Sequence, residues 1–199
     1  GANNTAVGYL ALDNNTTAHD NTAVGANALT ANTTGIRNTG IGVSTLDTNT
    51  TGSYNTALGD HALFTSNANH NVAVGYGAMY SNTTGTRNHA FGNNALYANT
   101  TGSQGVSIGY NSLRYNTTGD NNTAVGNYAL QANTTGANNV GVGVSALYAN
   151  TTGTQNTAVG AAALDANTTA SYNTSIGYQS LSANTTGAYN TAVGNECLE

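Results

Sequence analysis

Two short stretches of this chain match patterns that carry catalysis or cofactor binding in other proteins. Gly105-Val106-Ser107-Ile108-Gly109 has the G-x-S-x-G spacing of a nucleophile elbow, where a strand-to-helix turn holds a serine ready to attack an acyl carbon. Gly141-Val142-Gly143-Val144-Ser145-Ala146 has the G-x-G-x-x-A spacing of a dinucleotide-binding turn, whose glycines let the backbone approach a pyrophosphate. Four histidines, His19, His61, His70 and His89, are potential metal ligands, and three of them fall close together in the chain. Asp13, Asp20, Asp47, Asp60, Asp120 and Asp165 would serve as general acids or bases if they were paired.

Each candidate has to be weighed against the element that would position it, and here that element is a repeat. One glycine recurs at Gly8, Gly25, Gly42, Gly59, Gly75, Gly92, Gly109, Gly126, Gly143, Gly160, Gly177 and Gly194. Every interval is 17 residues except Gly59 to Gly75, which is 16. The unit reads Asn-Thr-Ala-Val-Gly-x-x-Ala-Leu-x-Ala-Asn-Thr-Thr-Gly-x-x. Both glycine motifs restate this unit: Ser107 stands where most copies have alanine, and neither stretch leads into a helix. The three clustered histidines occupy different positions of the unit, the aspartates form no regular pair, and the Asp-rich nonapeptide of calcium-binding β-rolls is missing. No catalytic, cofactor-binding or metal-ligating residue is therefore assigned, no cofactor is expected, and the chain does not read as an enzyme.

The residue before the glycine is always large and apolar, from Val7 through Phe91 to Val193. The residue two before it is always small, as in Ala6, Gly40 and Ser107, and Thr or Val precedes that in every copy except at His89. This alternation predicts a short strand with one bulky and one close-packed face. Four residues after the glycine stands Leu, or Met79 in one copy, as a second bulky position. Asn-Thr-Thr-Gly reads as a turn, because Asn and Gly both tolerate left-handed backbone angles. A unit with two bulky residues cannot bury a core alone, but stacked parallel coils merge them into Val and Leu columns.

The sequence thus predicts one all-β domain over residues 1–199, a parallel β-solenoid of about twelve coils, with an asparagine ladder from Asn4, Asn21, Asn38 and Asn55 broken only at Gly105. At a strand spacing of about 4.8 Å the rod is on the order of 50–60 Å long. Starting and stopping within repeat sequence, the chain reads as a piece of a longer fibrous protein. The small faces offer a surface on which another chain could pack, so self-association is expected, most simply as a homotrimer. The shortened repeat, Phe64 to His70, lacks the Asn-Thr-Thr turn and is expected to kink the rod or present a local loop.

Composition narrows the partners. Charged residues make up 6% of the chain, against the roughly 25% usual in soluble domains. Arg37, Arg87 and Arg114 are the only cations and the net charge is −5, so there is no basic surface for nucleic acid. No stretch reaches the ~18 apolar residues of a membrane helix, and the single Cys197 allows no disulfide within the chain. Twelve tyrosines fall at variable positions. Tyr76, Tyr110 and Tyr178 follow the glycine, while Tyr80, Tyr97 and Tyr148 follow the core Leu or Met, with Tyr80 and Tyr97 on adjacent coils. These six are candidate contacts for a host-surface glycan or protein, since exposed Tyr offers flat amphipathic area. A rival surface is the column Thr34, Thr51, Thr84, Thr101, Thr118, Thr135, Thr152 and Thr186, which could order water as the face of a monomeric ice-binding solenoid. Adjacent Thr-Thr pairs point opposite ways on an extended strand, which leaves Asn-x-Thr as the pattern for such a face.

The Asn-Thr-Ala-Val-Gly-x-x-Ala unit resembles the head repeats of trimeric autotransporter adhesins of the YadA type. It is also similar to repeats of phage tail fibres in which Asn-Thr-Ala-Val-Gly and Asn-Thr-Thr-Gly alternate. The resemblance runs from Asn4 to Leu198, and the coil is longer than the adhesin head unit by the Asn-Thr-Thr turn. It implies a left-handed parallel β-roll, three chains around one axis, and a rod exposed on a cell or virion surface that supports attachment to a host or matrix.

Overall fold

A computed structural model describes residues 1–198. Twelve three-residue strands follow one another: β1 Thr5–Val7, β2 Thr22–Val24, β3 Thr39–Ile41, β4 Thr56–Leu58, β5 Val72–Val74, β6 His89–Phe91, β7 Val106–Ile108, β8 Thr123–Val125, β9 Val140–Val142, β10 Thr157–Val159, β11 Thr174–Ile176 and β12 Thr191–Val193. They form one parallel sheet in sequence order, each strand paired with its successor in repeat register, as in Thr22↔Thr39 and Ala23↔Gly40. The chain is a β-solenoid with one coil per repeat. Backbone bonds join the coils around the whole perimeter and not only at the sheet. Asn27 N–H donates to Tyr9, Leu29 to Thr45, Ala31 to Asp47 and Arg37 to His19.

The strand alternation is real, but its faces are reversed from the expectation of a Val and Leu core. The small middle residue of the strand is inside: Ala23, Ala57, Ala124 and Ala158 are fully buried. The bulky residue faces out, with Val7 58%, Leu58 45% and Phe91 40% exposed. Interior width explains the reversal. Leu29 reaches across the coil, and a Cβ on Gly40 of the next strand would lie 3.6 Å from its Cδ1. At Gly141 the same test places Leu130 Cδ1 and Cγ at 3.4 Å. With Leu already there, only Ala, Gly or Ser fits opposite. The small face is thus the wall of this chain's own core, and is not free for another chain.

The residues two before and three after the glycine meet across that interior, and in some coils they vary together. Ala commonly faces Ala. Where Gly40 leaves space, Thr45 fills it, its Oγ1 2.8 Å from where a Cβ would stand. Ser107 faces Ser112, the two hydroxyl oxygens 2.6 Å apart, and Ser175 Oγ donates to the Ser180 carbonyl at 2.6 Å.

Left-handed backbone angles occur elsewhere than in the Asn-Thr-Thr-Gly turn. Every buried leucine carries one, from Leu12 (φ 55°) to Leu181 (φ 53°). Such an angle costs roughly 1–2 kcal/mol, while fully burying Leu returns about 1.5–3 kcal/mol, so burial offsets it. The turn glycines are needed for space instead: a Cβ on Gly35 would stand 2.2 Å from the Gly52 carbonyl oxygen. The strand-end glycines combine both demands. Gly126 has φ 137°, and a Cβ there would meet the Gly143 carbonyl at 2.4 Å.

Two asparagine columns close the remaining interior. In the turn column Asn133 Nδ2 donates to Asn116 Oδ1 at 2.8 Å and to the Gly136 carbonyl at 2.9 Å. In the predicted ladder, by contrast, the side-chain oxygen mostly accepts a backbone N–H of the next coil, as in Asn38 N–H to Asn21 Oδ1 at 2.9 Å. Both columns converge on one carbonyl per coil: Gly52 accepts from Asn38 at 2.8 Å and from Asn49 at 3.0 Å.

The short repeat neither breaks the sheet nor opens a loop. Thr56 pairs with Val72 and Val72 with His89 in unbroken register. Asn67 absorbs the missing residue. In a regular coil Thr33 N–H, Thr34 N–H and the Thr33 hydroxyl all donate to the Thr50 carbonyl. In the short coil the Asn67 side-chain oxygen takes the carbonyl's place and accepts from Thr50 N–H at 2.7 Å, the Thr50 hydroxyl at 2.8 Å and Thr51 N–H at 3.3 Å.

Candidate functional surfaces

Ser107 and the histidines are placed by the coil, not by a reaction centre. Ser107 is fully buried and bonded to Ser112, so its hydroxyl reaches neither solvent nor a base. His19 pairs with Asp20 at 2.8 Å and His61 with Asp60, while His70 stacks on Tyr54 with ring centroids 4.9 Å apart. Among the described residues no three His, Cys, Asp or Glu side chains come together as a metal cage, and no helix is long and apolar enough to cross a membrane. Hydrogen bonds from His19 and Asn3 hold Asp20 below the ordinary carboxylate range. Burial pushes Asp165 above it.

Three surfaces remain. The first is the outward strand face, two parallel columns on a rigid sheet. One carries Val7, Ile41, Leu58, Phe91, Ile108 and their counterparts. The other carries Thr in most coils, Val at Val72, Val106 and Val140, and His at His89. No Asp, Glu, Lys or Arg lies in either column. Sequence reasoning assigned the bulky column to the core and so missed this surface. The signal that would have found it is the paired variation of Gly40 with Thr45 and of Ser107 with Ser112, which marks the small face as internal.

The second surface is the turn. Thr34, Thr51, Thr84, Thr101, Thr118, Thr135, Thr152 and Thr186 are all exposed, in a single column interrupted at the short coil. Their neighbours Thr33, Thr100, Thr134 and Thr151 point their hydroxyls at carbonyls of the next coil, so the second thread of a two-column Thr face is committed to structure.

The third surface is an aromatic ridge beside the short coil. Phe64, Tyr80 and Tyr97 stack in sequence, centroids 5.0 and 5.1 Å apart and planes within 12°. Arg114 extends the ridge, its guanidinium carbon 6.0 Å from the Tyr97 centroid. The structure thus gathers Tyr76, Tyr80 and Tyr97 of the six candidate tyrosines. Tyr110 packs edge-on against Tyr128, and Tyr148 and Tyr178 are exposed at other coils. Against this geometry, no family model matches the chain, and no curated protein or solved structure is similar to it.

Proposed function

We propose that this chain is a rod segment of an adhesive fibre, working outside the cell or on a virion, whose strand face packs against copies of itself. The observation that carries the reading is the bulky apolar column standing outside a fold whose interior is already full. Twelve strands at about 4.8 Å and three residues at about 3.3 Å give a face on the order of 500 Å². Two such faces together reach the ~1,000 Å² of a specific interface. Its lack of charge suits a like partner, and only another solenoid presents side chains at the same spacing along its length, so the occupant is a second copy of the chain. A homotrimer around one axis, as in the fibres the repeats resemble, would bury all three columns. Stiffness then comes from the backbone bonds between coils, and adhesion from weak contacts repeated along the rod with a host-surface glycan or protein.

Light scattering on a size-exclusion column tests this. A mass three times the chain's 20.0 kDa is expected, falling to that of a monomer in Phe91→Lys/Ile108→Lys with the far-ultraviolet spectrum preserved. A wild-type monomer at working concentration overturns the reading.

The same face favours one alternative, a monomeric ice-binding protein. Its Thr-x-Val pairs hold methyls and hydroxyls on a rigid grid of about 4.8 by 6.6 Å without charge, a better two-column array than the turn threonines. Thermal hysteresis from a monomer, abolished by Thr157→Lys, is the outcome that would establish it.

A further inference from the structure

Beside the aromatic ridge lies a notch of about 180 Å³ lined by His61, Tyr76, Gly77, Tyr80 and Tyr97. It exists because of one missing side chain. The column two residues after the repeat glycine carries Asn27, Ser44, His61, Asn94, Asn111 and Tyr128 in other coils, but Gly77 in this one. The site therefore has a floor of bare backbone between His61 and Asn94. A Cβ on Gly77 would stand 3.0 Å from Asn94 Oδ1 and 3.3 Å from the Tyr97 ring, so any side chain there intrudes on the notch.

We infer that the notch is a binding site for one neutral hexopyranose unit, at a glycan end or within a chain. The inference deepens the adhesive reading and rests on it for the biological source of the glycan. Aromatic rings supply negative faces and hydrophobic edges on which the C–H side of a sugar can lie. Tyr76 is 56% exposed and pairs with no other ring among the described residues, so its surface is free for that contact. Polar groups accompany the rings: Tyr76 and His61 line the notch, and Asn94 Oδ1 lies beside Gly77 at its floor. The Asp60 carboxylate takes Nδ1 of the His61 imidazole, leaving Nε2 as the ring's second hydrogen-bonding atom. This mixture of ring carbon with hydrogen-bonding side chains matches a ligand that alternates C–H faces with hydroxyl edges. The lining holds no Lys or Arg to attract an anion. The volume falls below the ~300–1,000 Å³ of sites for drug-sized ligands, which fits one six-membered ring.

Saturation-transfer NMR with methyl β-galactopyranoside, methyl β-glucopyranoside and methyl α-mannopyranoside tests the site on the intact chain. At least one should receive saturation and shift the ring resonances of Tyr76, Tyr80 and Tyr97, with a dissociation constant in the millimolar range usual for a single weak contact. Gly77→Asn should weaken that binding at least tenfold without unfolding, because Asn27, Asn94 and Asn111 already take left-handed angles at this position. Tyr9→Ala, in the same column as Tyr76 but four coils from the notch, should leave it unchanged. Binding that survives Gly77→Asn, or no transfer from any of the three sugars, overturns the inference. The solution mass is read separately, so loss of the trimer and loss of the sugar site are distinguishable.

Discussion

The coil that starts at Gly126 and the coil that starts at Gly59 do the same job with different parts. In the regular one, Asn133 links its neighbours through Asn116 Oδ1 at 2.8 Å and Asn150 Nδ2 at 2.9 Å, and the Thr134 carbonyl caps the turn above. In the short one, Ser66 replaces the asparagine; its hydroxyl accepts Ala68 N–H at 3.2 Å but links to the next coil only through a 3.5 Å contact from Asn82, while Asn49 Oδ1 is left buried without a donor. The carbonyl cap is replaced by the Asn67 side chain. A solenoid therefore tolerates a lost residue when some oxygen still reaches the same place, but the substitute satisfies fewer groups. An aromatic stack begins at the same coil: Phe64 stacks with Tyr80 and Tyr97 of the next two coils, in a column that carries Gln131 and Asp165 farther along the rod.

This comparison is most readily broken at its strong end. Asn133→Ala removes three side-chain bonds in a fully buried position and orphans Asn116 Oδ1, so a loss of about 3 kcal/mol is expected from the urea midpoint. Asn67→Ala should cost about 1–2 kcal/mol, less because the site is exposed and water can take the three donors. Its signature is local: faster amide exchange at Thr50 and Thr51, with Thr117 and Thr118 unchanged. Equal losses in the two variants would mean that the short coil is no weaker than the rest. Repair sharpens the contrast. Replacing Ser66-Asn67 by Asn-Thr-Thr restores the 17-residue unit, gives Asn49 Oδ1 a donor, and should stabilise by about 1 kcal/mol. The smallest effect is at Asp165, whose carboxyl burial raises above its unfolded value. The native state is then favoured while the group is protonated, and that advantage is lost as pH rises through the raised value. Asp165→Asn should accordingly unfold slightly higher than the parent at pH 7, within about 0.5 kcal/mol, and no higher at pH 3. A thermal melt at the two pH values reads the difference.

Much of the fold was legible because a period is a strong constraint. Gly8 to Gly194 announce the coil, and a glycine stacked on a glycine every turn leaves no space for Cβ. The Leu column, the parallel register and the stacking of Tyr80 on Tyr97 follow from the same spacing. The orientation of the strand was not legible. Three residues such as Thr22-Ala23-Val24 alternate equally well either way round, and hydrophobicity alone favours Val inside. The aromatic ridge was only half visible, since the notch depends on the absence of a side chain at Gly77 and on the lean of Tyr97 over it.

By itself, then, the sequence determined an all-β parallel solenoid, its coil length and its buried leucines, because these depend on repetition and on backbone sterics that act within one unit and its neighbour. Only the tertiary structure decided which face of the strand is interior. That choice depends on the distance between opposite walls of the coil, and a leucine reaching across it leaves room for alanine and turns valine outward.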